Sequence, residues 1–260
     1  MRQGTVGFNN ANIGKIFDKA RHTTIFFDKE MKYKDFEKIL SQERMSRYLI
    51  ACGGDTRKAM TLYRYNLQLS QEAFTIISCF EVALRNAIDN HLVSILGAEW
   101  LKNSIMNGGV FTNPVLHKTY DIINYAYIKL RSSGTYSHSK LLAEMEFGIW
   151  KYMFSPIQYR VTGQQLLRIF PNKARSTPET QYNRTYIFNE LDKINTLRNR
   201  IAHHEPVCFS LQQPVIDTAY ILNEYQKIQT LFMWMGIDNR ALLYGLDHIQ
   251  QVCARINELK

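Results

Sequence analysis

The feature that most constrains this chain is a helical spacing of apolar residues that continues almost from end to end. Over residues 70–96, Ala73, Ile77, Phe80, Leu84, Ile88 and Ile95 fall on one stripe, the signature of a long helix with one buried face. A second stripe, Ile187, Leu191, Ile194, Leu197 and Ile201, predicts another long helix. Ser176 is its expected cap, with Glu179 completing a capping box and Pro178 tolerated in the first turn. It should end near His204, because Pro206 biases Glu205 away from helical geometry. Shorter helical patterns cover residues 33–49, 56–67, 114–130, 140–154 and 214–234, and a last one runs from about residue 241 onward. Gly53-Gly54, Asn107-Gly108-Gly109 and Ser132-Ser133-Gly134 mark turns between them. No alternation of strands and helices is present, so the expected fold is all-α, with at most a strand or two near the N-terminus.

At 260 residues and 45% hydrophobic, the chain can bury one large core or two small ones. No apolar run approaches the ~20 residues of a bilayer span, so neither a membrane protein nor a secretory leader is expected. Cys52, Cys79, Cys208 and Cys253 are too scattered for a zinc site and read as small core residues of a reduced, cytoplasmic protein. His22, His91, His117, His138 and His248 lack metal-ligand spacing, and no phosphate-binding glycine loop exists, so neither metal nor cofactor is expected. Gly53-Gly54-Asp55 reads as a turn and helix cap, and Ser137-His138-Ser139 as a polar loop.

The formal charge is +9, and it is unevenly placed. Residues 1–68 carry 13 Lys/Arg against 7 Asp/Glu, whereas residues from 205 onward carry 4 against 6. A second basic stretch holds Lys151, Arg160, Arg168, Lys173 and Arg175 among the aromatics Trp150, Tyr152, Phe154, Tyr159 and Phe170. Bases stack on aromatic rings and phosphates pair with cations, so this interleaving suits single-stranded nucleic acid as well as an ordinary helical core with a solvated basic face.

Residues Arg198-Asn199-Arg200-Ile201-Ala202-His203-His204 bring guanidinium, amide and imidazole groups together at a helix end. Asn199 and His203 are four apart and share a face, and Arg198 and His203 flank one groove. These groups suit metal-free RNA cleavage, in which the ribose 2′-OH attacks the neighbouring phosphate. An imidazole moves the protons, and the guanidinium stabilises the charge that develops. The segment also echoes Leu84-Arg85-Asn86-Ala87-Ile88-Asp89-Asn90-His91 in the pattern L-R-N-x-I-x-x-H. Arg85 has Glu81 and Asp89 four residues away on either side, whereas Arg198 has Ile194 and Ala202. Arg198 therefore needs an anion from a distant segment or from a ligand.

At this point the sequence resembles a known family. R-N-x-x-x-H ending a long helix resembles the signature of HEPN ribonuclease domains. Three blocks, Phe80 to Ile88, Glu144 to Trp150 and Leu197 to Val207, resemble in order and spacing the Abi-like (abortive infection, AbiD/AbiF-type) branch of that group. The resemblance covers about residues 47–234 and implies a HEPN-type helical bundle over residues 46–260, with additional N- and C-terminal helices. Residues 1–45 form a basic N-terminal extension or small subdomain outside the three blocks. It further implies a metal-independent endoribonuclease of phage defence or a toxin, whose composite cleft forms in a homodimer. By position, Arg198 and His203 match the catalytic pair, Asn199 the polar residue that follows the arginine, and His204 is an additional imidazole. Glu81 and Arg85 match an E-x-x-x-R-N helix of that family. Arg85 and Arg200 join Lys151, Arg160, Arg168, Lys173 and Arg175 as candidate RNA contacts. The rival expectation is a non-catalytic protein that holds a structured small non-coding RNA in the same basic cleft.

Overall fold

The computed structural model describes residues 31–260, so the expected N-terminal strands and most of the basic extension lie outside the described residues. The described residues are all-α, with twelve α-helices and a lone antiparallel bridge between Phe209 and Ile216. The chain divides into two compact units, Met1–Met60 and Thr61–Lys260.

The first unit contains α1 (Tyr33–Leu40) and α2 (Gln42–Ala51). One helix was expected here. Ser41, at φ 77°, breaks it, and its hydroxyl accepts from the Arg44 N–H to start α2. Helix α2 ends as the glycines predict. Gly53 N–H donates to Ile50 O and Gly54 N–H to Leu49 O, with Gly53 in the left-handed region that only glycine enters at little cost. Asp55 Oδ1 then accepts from the N–H groups of Arg57 and Lys58, which starts the long helix α3 (Thr56–Leu96). The two helices expected over 56–67 and 70–96 are one continuous helix, since nothing between them interrupts the backbone ladder.

In the second unit, α3 continues into the short α4 (Trp100–Asn103), α5 (His117–Ser132) and α6 (His138–Ala143). The helix expected over 140–154 is split, with α7 (Phe147–Tyr152) starting anew after Met145-Glu146. Next come α8 (Pro156–Val161), the long α9 (Arg184–Ala202) and α10 (Ala219–Trp234). The C-terminal region contains α11 (Asn239–Leu242) and α12 (Ile249–Asn257) rather than one helix.

Helix α9 starts eight residues after its expected cap at Ser176. The Ser176 hydroxyl, the expected cap, accepts from Tyr182 N–H and the neighbouring Thr177 hydroxyl from Thr180 N–H, so both close a local turn instead. Asn183 takes over the role, with its Oδ1 accepting from Tyr186 N–H. Helix α10 likewise begins at Ala219 rather than near Pro214, because Ser210 N–H bonds Val215 O and Asp217 N–H bonds Cys208 O in a tight loop first.

The core forms where the two long apolar stripes meet. Ala73, Ile77, Phe80, Leu84 and Ile88 of α3 are buried, as are Ile187, Leu191, Ile194 and Leu197 of α9. Ile95 and Ile201, at the ends of the stripes, are not. Ile76, Leu197, Ile228 and Ile249 line one seam that joins α3, α9, α10 and α12. Phe80 stands edge-on to Phe232 with ring centroids 5.3 Å apart and tilts against Phe147 at 6.3 Å. These rings lock α7 and α10 to the middle of α3, one residue from Glu81.

Candidate active site

The candidate site is built on the C-terminal end of α9. His203 is the C-cap, and its N–H donates to Asn199 O at 2.9 Å. His204 N–H then donates to Ile201 O and Glu205 N–H to Arg200 O. This is the double closure seen at the end of α2, with His204 (φ 56°) in the place of Gly53 (φ 60°). A side chain with a Cβ is thus held in a left-handed backbone conformation beside the proposed catalytic imidazole, and such strain concentrates at functional sites. His203 and His204 are both exposed.

The end of α9 is fixed from two sides. Val207 N–H donates to the Oδ1 of Asn66, a buried residue of α3. Arg200 Nη2 donates to Pro206 O at 2.8 Å, its Nε pairs with Glu205 at 3.2 Å, and its guanidinium covers the Tyr220 ring. Arg200, expected among the RNA contacts, braces the helix end through Nε and Nη2, while its buried Nη1 has no hydrogen-bond partner among the described residues.

Arg198 is half-buried. Its Nη1 approaches Asn199 Oδ1 at 3.4 Å, a long contact, and its buried Nε has no hydrogen-bond partner among the described residues. Arg85 makes a contact of the same length to Asn86 Oδ1, but through Nε rather than Nη1. The L-R-N echo thus extends to an arginine-to-asparagine contact, while only Arg198 leaves a buried Nε without a partner among the described residues.

A distant segment does bring one carboxylate, that of Glu81, within electrostatic reach of Arg198. The half-buried Glu81 carboxylate accepts the backbone N–H of Phe147 and feels the positive charges of both Arg198 and Arg85 through space, without direct ion pairing. Burial pushes its pKa above the ordinary carboxylate value, Glu146 reinforces this, and the arginines and the Phe147 N–H oppose it. Phe80-Glu81, Glu146-Phe147 and Arg198, drawn from three separate sequence blocks, thus surround one carboxylate.

The expected neutralisation of Arg85 by Asp89 does not occur. Asp89 Oδ1 accepts instead from Trp100 Nε1 at 2.7 Å and from His138 Nε2 at 2.8 Å. His138 opens α6 behind a Ser137 cap rather than lying in a loop. With Asp89 committed elsewhere, Arg85 and Arg198 are more alike than their sequence neighbours suggest.

The basic-aromatic stretch divides. Lys151 is buried, its Nζ 2.8 Å from Asp192 and 4.5 Å from the Tyr152 ring centroid, so its charge is spent inside the fold. Lys173 is half-buried and donates to Ala174 O at 3.3 Å. Arg160, Arg168 and Arg175 are exposed. Arg168 lies near enough to His91 to lower its pKa, secondary to the effect of burial, and His91 Nε2 is itself buried without a partner. Sequence reasoning missed Asn66 and the Phe147 N–H. Asn66 is a polar residue among buried positions of α3, which is the signal that could have revealed it.

Among the described residues, no group of three or more His, Cys, Asp or Glu side chains could hold a metal ion, and no helix is long and apolar enough to cross a membrane. The profile of the Abi-like protein family matches residues 29–208. The match takes in α1 and all three blocks around Glu81 and ends just after the Val207–Asn66 anchor. No curated protein and no solved structure matches the chain.

Proposed function

The chain belongs to the Abi-like family, and from that premise we propose that it is a metal-independent endoribonuclease of the HEPN type, acting in phage defence or as a toxin. The observation that carries this reading is Arg198, held half-buried with an unpartnered Nε within electrostatic reach of the half-buried Glu81, at a helix end that exposes two imidazoles. In this reading RNA supplies the anion. Arg198 binds the scissile phosphate and stabilises the additional charge of the phosphorane-like transition state. His203 moves a proton between the 2′-OH, solvent and the departing 5′-oxygen, with His204 as a second imidazole. Asn199 orients Arg198 through its side-chain oxygen. A second copy of the chain brings a second such helix end to the cleft, which makes the working form a homodimer.

The test is cleavage of RNA in the presence of EDTA by the full chain and by Arg198→Ala and His203→Ala. Each variant is expected to lose at least about 100-fold in rate, the usual contribution of a proton-transfer or charge-stabilising group. Undiminished cleavage by both variants, or loss of wild-type cleavage on adding EDTA, overturns the reading. The second reading, a non-catalytic holder of a structured small RNA, is favoured by the exposed Arg160, Arg168 and Arg175. It predicts one discrete, intact RNA bound to the purified protein, where a ribonuclease leaves fragments with cyclic-phosphate ends.

A further inference from the structure

A roomy open cavity lies away from α9, between α10, α11 and α12, and beyond the last residue matched by the family profile. Its volume is about 950 Å³, at the upper end of the ~300–1,000 Å³ typical of small-molecule sites. The lining is unusual in its chemistry. Gln226 and Gln229 enter from α10 and Gln250 and Gln251 from the first turn of α12. Tyr244 stands at the rim with 89% of its surface exposed.

Both carboxylates in the lining are already committed. Asp247 Oδ2 accepts from Tyr225 O–H at 2.6 Å and, at 3.5 Å, from Gln229 Nε2. Asp238 Oδ1 caps α11 by accepting from the N–H groups of Arg240 and Ala241. The committed carboxylates leave a poor metal site, and their two negative charges against the single cation Arg240 make a poor phosphate site. The carboxamides are different. The side chains of Gln226, Gln250 and Gln251 bond to no described residue, and Gln229, itself only 9% exposed, has an Oε1 with no partner. The site therefore offers several side-by-side donor and acceptor pairs and a free aromatic face, with almost no net charge.

We propose that this cavity binds a nucleobase, with adenine the best match. A carboxamide presents one donor edge beside one acceptor edge, the complement of adenine N7 and N6. The exposed Tyr244 ring provides a stacking face for the base. A free adenine nucleotide and an unpaired adenosine of an RNA present this same chemistry. With Arg240 outnumbered by Asp238 and Asp247 in the lining, the phosphate of a nucleotide is predicted to add nothing to binding. The site does not depend on the ribonuclease reading.

Calorimetric titration of the full chain with adenosine, AMP, uridine and a short oligoadenylate tests this. Adenosine and AMP are expected to saturate one site per chain with equal affinity and to outcompete uridine. Tyr244→Ala, and separately Gln250→Ala combined with Gln251→Ala, should each weaken adenosine binding about tenfold or more, and all three positions are exposed enough to leave the fold intact. Oligoadenylate binding much tighter than adenosine, and lost with Tyr244→Ala, identifies RNA as the source of the base; equal binding identifies a free nucleotide. Arg198→Ala should leave adenosine binding unchanged, which separates this proposal from the ribonuclease one. No saturable response to either adenosine or oligoadenylate, or binding indifferent to Tyr244→Ala, overturns it and leaves a peptide as the amide-bearing ligand to test.

Discussion

The backbone N–H of Val207 donates to the side-chain oxygen of Asn66 at 2.8 Å across 141 residues of sequence. That bond ties the chain just after Pro206 to α3, so the exposed His203-His204 pair projects from a helix end held at both sides. Asn66→Leu keeps the branched shape of the side chain and leaves the buried Val207 N–H without an acceptor, which costs about 1–3 kcal/mol. A fall in Tm of roughly 2–4 °C per kcal/mol follows for a unit of this size. RNA cleavage measured well below Tm should fall as well, since the helix end loses its anchor. Unchanged Tm and cleavage would show that the bond positions nothing.

Glu81 predicts a pH dependence with a definite sign. Its pKa is raised in the folded protein, burial being the largest cause, so the folded state favours the neutral form. The contribution is fully present below the carboxyl pKa of the unfolded chain and is lost as pH rises through the raised folded value. Stability of the wild type should therefore decline over that interval by more than that of Glu81→Gln, which cannot ionise. Denaturant melts of both proteins between about pH 4 and about pH 7 measure the difference. Parallel curves would mean that the surroundings of Glu81 do not govern its ionisation.

The two long apolar stripes could be read from sequence because helical spacing survives whatever the rest of the chain does. Ile77, Phe80, Leu84, Leu191, Ile194 and Leu197 are all buried as their spacing requires. The end of α9 was legible because Pro206 acts locally on Glu205. Its start was not. Ser176 and Asn183 are both competent caps, and only the surrounding turn decides that Ser176 receives Tyr182 N–H. Likewise Asp89 looked like a partner of Arg85 by spacing, but Trp100 and His138 arrive from other segments and take it. At the site, Arg198 and the imidazoles were legible as residue types. Glu81 as the carboxylate between the three blocks needed the fold.

Lys151 separates charge that belongs to the core from charge available to RNA. Its side chain is 8% exposed and paired with Asp192, which is 52% exposed. Lys151→Met retains the packing, and Asp192 remains solvated, so stability should change by about 1 kcal/mol or less. RNA affinity should keep its dependence on salt. Arg160→Ala, Arg168→Ala and Arg175→Ala remove exposed cations, and each that contacts a phosphate should reduce the slope of log affinity against log salt by about 0.7. Filter binding over a salt series checks both. A shallower slope for Lys151→Met, with none for the three arginines, would reverse the assignment.

His204 offers a way to separate strain from chemistry. A Cβ in the left-handed region costs about 1–2 kcal/mol, and glycine offsets part of its gain there through about 0.5–1 kcal/mol of chain entropy. His204→Gly is thus expected to melt higher than His204→Ala, which keeps the strain and loses the imidazole. If His204 assists His203, then His203→Ala retains a residual cleavage rate that combining it with His204→Gly removes. The double variant is the informative one, because the second change removes the imidazole and relaxes the left-handed backbone together. A residual rate that survives in the double variant would restrict the chemistry to groups other than these two imidazoles, with Arg198 the first to examine.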